Sequence, residues 1–233
     1  MDFAKAAIAD VAKETDRVIL FHSATGKDSI ALLDLIAPHF KEIVCVFMFI
    51  VPGLRHINRY ISYASQRYPN ARFICVPHYA LPSYYKIGYL GCREISGIKQ
   101  LTLSKITDAV RERTGIEWVF FGFKQSDSMN RRLMLRTYRD EAINEAQKKC
   151  YPLSRYKNAD VLAYIERHGL IRPECYGKGQ SSGTSIEEIN YLLWLRKNFP
   201  DDLKKVFKEF PMSERILFEH DYETVKGKQD GND

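Results

Sequence analysis

Val18-Ile19-Leu20-Phe21-His22-Ser23-Ala24-Thr25-Gly26-Lys27-Asp28-Ser29 is the stretch whose reading decides the fold. An apolar run with a β-branched start reads as a strand, and small polar residues with one glycine follow it. Ile30-Ala31-Leu32-Leu33-Asp34-Leu35-Ile36 then continues as a helix-compatible segment. Strand, tight loop and helix start aim free backbone N–H groups and a positive dipole end at one spot, which suits an anion. Gly26 lets a ligand approach the backbone, and Lys27 adds a mobile charge. Asp28 can cap the helix or hold a cation that bridges phosphates. The G-x-x-x-x-G-K-[ST] loop fails here at both ends, because Phe21 stands at the first glycine and Asp28 at the hydroxyl. No G-x-G-x-x-G fingerprint occurs.

Outward from this stretch the chain alternates. Residues 3–14 read as a helix, 17–22 as a strand and about 28–37 as a helix. An uninterrupted apolar strand from Ile43 to Phe49 ends at Val51-Pro52-Gly53, and a helix over about 54–67 follows. Ala71 to Val76 makes a third strand, and 78–98 is a long aromatic, irregular stretch. A helix over about 101–114 ends near Gly115, and Trp118 to Gly122 is a fourth strand. Continuous apolar strands between amphipathic helices predict an α/β fold, a parallel twisted sheet with helices on both faces. Ligands of such sheets sit beyond the carboxyl ends of the strands. The loops 23–27, 50–56 and 122–130 open there.

At 233 residues the chain suits one large domain with an appendage. The expected division is an α/β nucleotide-binding domain over 1–150, a C-terminal loop and helical extension over 151–224, and a disordered polar tail over 225–233. Content of 45% hydrophobic and 27% charged residues is that of a soluble globular protein. The longest apolar run, Ile43 to Val51, is strand length, so no membrane is expected, and the N-terminus lacks a signal peptide's layout. The expected compartment is the cytoplasm. Five cysteines without any C-x-x-C pair signal neither zinc nor an iron–sulfur cluster. The net charge of +6 suits a polyanion, ATP alone or a nucleic acid.

Past the fourth strand, Phe123 to Arg132 carries little apolar content and three cations. If 130–142 is helical, Arg132, Arg136 and Arg139 share one face. Guanidinium groups beside a sheet's carboxyl edge suit phosphate or sulfate, and Lys124 and Arg131 are tied most closely to the strand end. Tyr151 to Lys157 reads as a turn before a helix capped by Asn158. Pro173 to Ser185 is a glycine- and serine-rich loop, and two helices over about 185–198 and 201–210 close the fold.

Thr25-Gly26-Lys27-Asp28-Ser29 resembles the S-G-G-x-D-S pyrophosphate loop of the PP-loop ATP pyrophosphatases. Gly122-Phe123-Lys124-Gln125-Ser126-Asp127-Ser128 matches a G-x-[RK]-x-x-[DE]-S-type segment. Pro152-Leu153, Asp160-Val161-Leu162-Ala163-Tyr164-Ile165 and Tyr176-Gly177-Lys178-Gly179-Gln180-Ser181-Ser182 match a "P-L … D-V-x-x-Y-I … L-Y-x-x-G-x-x-S" segment. Across roughly residues 15 to 185 the succession resembles the phosphoadenosine phosphosulfate (PAPS) reductase family. That resemblance implies an adenine nucleotide alpha hydrolase-like fold, an adenine nucleotide such as ATP, and Mg²⁺. The chain departs from the family in two ways. Ala24 and Thr25 replace the usual first serine and glycine of the loop, which makes it bulkier. Members that reduce sulfonucleotides use a cysteine in a C-terminal E-C-G-L-H segment, and this chain has no cysteine after Cys175.

Nucleotide chemistry without thiol redox is therefore expected: an ATP pyrophosphatase or adenylyltransferase that splits ATP between its α- and β-phosphates. The expected catalytic residues are Lys27, Asp28, Lys124 and Arg131, with Asp28 holding Mg²⁺ through water. The expected nucleotide contacts are Ser23, Thr25, Gly26, Lys27, Asp28, Ser29, Phe47 and Gly122. An anionic acceptor is expected on Arg132, Tyr176, Lys178, Gly179, Ser181 and Ser182, with 177–185 as a lid. Two other classes stay open. One is a nucleic-acid modification or accessory factor that docks through Arg132, Arg136, Arg139, Lys148 and Lys149. The other is a catalytically silent nucleotide-sensing module. A homodimer is also left open.

Overall fold

The structure, a computed structural model, describes residues 1–23, 26–173 and 186–229. Among the described residues, six strands form one sheet: β1 (Arg17–Phe21), β2 (Glu42–Phe49), β3 (Ala71–Pro77), β4 (Val119–Phe120), β5 (Ile143–Asn144) and β6 (Lys149–Cys150). The helices are α1 (Asp2–Ala12), α2 (Lys27–Ile36), α3 (Arg55–Arg67), α4 (Leu81–Ile87), α5 (Leu103–Thr114), α6 (Met129–Arg136), α7 (Asn158–Arg167), α8 (Ile189–Asn198), α9 (Pro200–Glu209) and α10 (Met212–Gln229). The strand order is β3-β2-β1-β4-β6-β5. Every pairing is parallel except β5 with β6, so the sheet is mixed at that edge.

The chain forms two compact units. The first comprises 1–49, 59–77 and 102–174, and contains the whole sheet. The second comprises 50–58, 78–101 and, of the C-terminal part, the described residues 186–229. Within the first unit, Ile19 and Phe21 of β1, Val44 and Val46 of β2 and Val119 of β4 pack with Ile106 and Val110 of α5. Alternation turns Val18, Leu20 and Phe120 to the other face, where Phe120 meets Phe40 edge-on at 5.5 Å. Both sets are buried, which is why these strands read as unbroken apolar runs.

From β1 the chain moves outward to β2 and β3, then returns to place β4 on the other side of β1. The strand order therefore reverses at the carboxyl ends of β1 and β4, the place where sheets of this kind bind ligands. In register, Ile19 lies beside Val119 and Leu20 beside Phe120, so the loops after Phe21 and Phe121 leave the sheet side by side.

In the second unit, Asp202 near the start of α9 accepts hydrogen bonds from the backbone N–H of Arg55 at 2.8 Å and of His56 at 3.0 Å. It also meets His56 Nδ1 at 3.0 Å, and so caps α3. The amide and imidazole hydrogen bonds outweigh burial and hold the Asp202 carboxyl below its ordinary range. Tyr191, Trp194 and Phe199 surround the His56 ring.

Several elements differ from the sequence reading. The helix expected over 130–142 stops at Arg136, because Asp140 and Glu141 take left-handed conformations (φ 53° and 59°) and turn the chain into the β5–β6 hairpin. Arg139 therefore leaves the face it was expected to share with Arg132 and Arg136. The stretch 78–98 contains α4. Asn158 is the first residue of α7 rather than its cap, and Asp160 reaches back to the Lys157 N–H at 2.7 Å. A further helix, α10, follows the two expected at the C-terminus. Residues 230–233 of the expected tail lie outside the described residues.

Candidate functional site

Gly26 holds an extended backbone just before α2 (φ −74°, ψ 129°), and its carbonyl accepts the Ile30 N–H at 3.0 Å. Ser29 Oγ takes the Ser23 N–H at 2.9 Å and lies 2.9 Å from Ser23 Oγ. The loop is thus tied across its base to the first turn of the helix. A Cβ on Gly26 would overlap Ser23 Oγ, so a larger residue there would push the Ser23 hydroxyl out of its contact with Ser29. Gly122, which follows β4, would bring a Cβ to 3.1 Å from Asp28 Cβ. The end of β4 and the start of α2 approach one another as closely as backbone permits.

The charged groups gather at that approach. Lys27 is 3% exposed, with Nζ 3.1 Å from Asp28 Oδ2. Lys124 is fully buried, with Nζ 2.8 Å from the same oxygen and 2.9 Å from Asp127 Oδ1. The Lys124 ammonium thus sits at ion-pair distance between two carboxylates. Asp28 Oδ1 is buried without a partner among the described residues. Asp127 Oδ2 accepts the Lys124 backbone N–H at 2.9 Å and Arg131 Nη1 at 2.7 Å. Burial pushes the Asp127 carboxyl up, but the Lys124 amide and ammonium, with Arg131, hold it below its ordinary range. Arg131 lies 4.0 Å over the Phe123 ring, and Phe123, Phe121 and Phe21 form a stacked column with spacings of 5.3 and 5.0 Å. Three cations and two carboxylates leave the cluster with one positive charge.

The structure thus brings together Ser23, Gly26, Lys27, Asp28, Ser29, Gly122, Lys124 and Arg131. Phe47 lies half-buried in β2, on the face opposite Val46 and Met48. Arg132 is exposed on α6 and has no ion pair among the described residues. Thr25 and the acceptor candidates Tyr176, Lys178, Gly179, Ser181 and Ser182, with the whole 177–185 lid, lie outside the described residues. Of the expected basic surface, two of the five side chains form ion pairs among the described residues. Arg139 pairs with Asp10 and Glu145, and Lys148 with Glu14, while Lys149 meets the Gln147 side chain.

Sequence reasoning left Asp127 out of the site, although it is the acidic residue of the segment Gly122 to Ser128. Phe123, the platform under Arg131, was also missed and had no signal of its own.

Among the described residues, no group of three or more His, Cys, Asp or Glu side chains could hold a metal ion. No helix among them is long and apolar enough to cross a membrane. The family model for the phosphoadenosine phosphosulfate reductase domain matches residues 18–225. No curated protein matches the chain.

Proposed function

The chain belongs to the phosphoadenosine phosphosulfate reductase family, whose fold binds adenine-type nucleotides, and from that premise we propose that it cleaves ATP between the α- and β-phosphates and adenylylates an anionic acceptor. The observation that carries this reading is the buried ammonium pair, Lys27 and Lys124, converging on Asp28 at the carboxyl ends of β1 and β4. Two buried ammonium groups at one point favour a polyanion, and the cluster's net positive charge adds to that preference.

In the proposed reaction an acceptor oxygen attacks the α-phosphorus in line with the bond to the bridging oxygen. That bond breaks and pyrophosphate leaves with the electron pair. Lys27 and the N–H groups that open α2 stabilise charge on the leaving group. Lys124 and Arg131 orient the α-phosphate or the acceptor, with Asp127 fixing the geometry of both. A carboxylate, sulfate or phosphate acceptor carries no proton to remove, so no general base is needed. Asp28, whose Oδ1 is buried and unpartnered among the described residues, would hold Mg²⁺, directly or through water. The ion would supply charge neutralisation on the phosphates.

We place the protein outside thiol-dependent reduction. Among the described residues, burial raises Cys45, Cys75, Cys92 and Cys150 above the ordinary thiol range, which suppresses the thiolate that must attack sulfur; Cys175 lies outside the described residues. The test is incubation with ATP, Mg²⁺ and candidate acceptors, followed by mass analysis for AMP-containing products. Lys27→Ala is expected to weaken ATP binding by about 1–3 kcal/mol. Unchanged affinity with the fold intact removes the phosphate-loop reading.

A further inference from the structure

Directly after β1, His22 donates its backbone N–H to Val46 O at 2.9 Å, and Ser23 of the phosphate loop comes next. Its side chain is buried, with the residue 2% exposed. Nε2 lies 2.9 Å from the hydroxyl of Tyr60 on α3. Phe73 of β3 meets the imidazole edge-on at 5.4 Å, and the Tyr60 ring lies 5.2 Å away on another side. The ring is therefore clamped.

Tyr60 is 3% exposed, so its hydroxyl needs an acceptor, and His22 Nε2 is the partner the structure gives it. An Nε2 that accepts obliges Nδ1 to carry the imidazole proton. Nδ1 is buried and has no partner among the described residues. A clamped, uncommitted N–H thus stands one residue before Ser23, whose own amide and hydroxyl are already held by Ser29. We infer that His22 is locked by Tyr60 as its Nδ1–H tautomer and acts as a positioning residue for the phosphate loop, a neutral donor at the loop's root. Burial lowers the imidazole's pKa to about 3, so the donor is uncharged at every pH at which the protein would be assayed. It supplies direction without adding to the positive charge of Lys27 and Lys124.

This inference rests on the reading that nucleotide phosphates occupy residues 23–29. Its test uses the full chain and two measurements. Ring ¹⁵N NMR should show a protonated Nδ1 and an unprotonated, hydrogen-bonded Nε2 for His22, and Tyr60→Phe should abolish that pattern. Calorimetry with ATP and with pyrophosphate then compares two amides. His22→Asn puts its amide near the position of Nδ1 and should bind within about threefold of wild type. His22→Gln puts its amide near Nε2 and should bind about tenfold more weakly, the cost of one lost donor. A protonated Nε2 in the wild type overturns the inference, as do equal affinities for both variants or the reverse order. Wild-type protein that binds neither ligand overturns the phosphate-site reading and this role with it. Normal wild-type binding with two unaffected variants overturns the positioning role alone.

Discussion

Lys124 is the residue on which the site's charge balance turns. Its ammonium is fully buried between Asp28 and Asp127. Lys124→Met keeps most of the volume and removes the charge, which leaves two carboxylates short of a counterion. Breaking a buried pair from one side costs about 3–5 kcal/mol, and denaturant unfolding should show a loss of that order. Adding Asp28→Asn should recover part of the stability and none of the ATP affinity, because the second change relieves repulsion without restoring a phosphate donor. Strictly additive stability losses would sink the pairing. His22 makes a separate prediction. Its pKa is lowered by burial from 6.5 to about 3, so the folded state resists a proton that the unfolded chain accepts. The stability this represents is fully present above about pH 6.5 and is lost as pH falls toward 3, with a slope approaching about 1.4 kcal/mol per pH unit. His78, also lowered by burial, adds to the same slope. Unfolding measured from pH 7 to 4.5, above most carboxylate titrations, should therefore be flatter for His22→Asn than for wild type.

Among the elements, the β1–loop–α2 unit was legible because every local signal agreed: an apolar run buried on both faces, one glycine at the turn and apolar spacing afterwards. The β5–β6 hairpin was not legible. Its strands are two residues each, and the left-handed positions that turn the chain are Asp140, Glu141 and Lys148, with no glycine among them. The helix α10 was missed for a different reason. Phe218, Tyr222 and Val225 share one face at helical spacing but lie in a strongly charged segment, and they remain largely exposed. Of the site, Lys27, Asp28, Lys124 and Arg131 could be read from motif spacing. The contact of His22 with Tyr60 could not, since it joins residues 38 apart through the tertiary fold. The junction of β4 with α2 gives a test at this scale. Gly122→Ala would crowd Asp28 Cβ at 3.1 Å, so either must give by a few tenths of an ångström. The expected result is a modest loss of stability, about 1 kcal/mol, with a disproportionate rise in the KM for ATP. A stability loss with KM unchanged would mean that the close approach serves packing alone.

At the scale of the whole molecule, the question is which chemistry the chain performs. If no thiol takes part, Cys175→Ser leaves turnover largely intact, and a covalent adduct trapped on Cys175 during turnover would reopen the redox reading. The second unit raises a different matter. Asp202 caps the first turn of α3 across 146 positions of sequence, and the segments 50–58 and 78–101 belong with the described residues 186–229. During synthesis these two segments leave the ribosome long before their partners exist. At about 5–20 residues per second, Arg55 and His56 wait roughly 7–30 s for the carboxylate that caps them. Over that interval a nascent chain can pair its strands while the start of α3 is still uncapped. A chaperone that captures this protein on the ribosome should therefore favour chains stalled between residues 101 and 202 over shorter or longer ones.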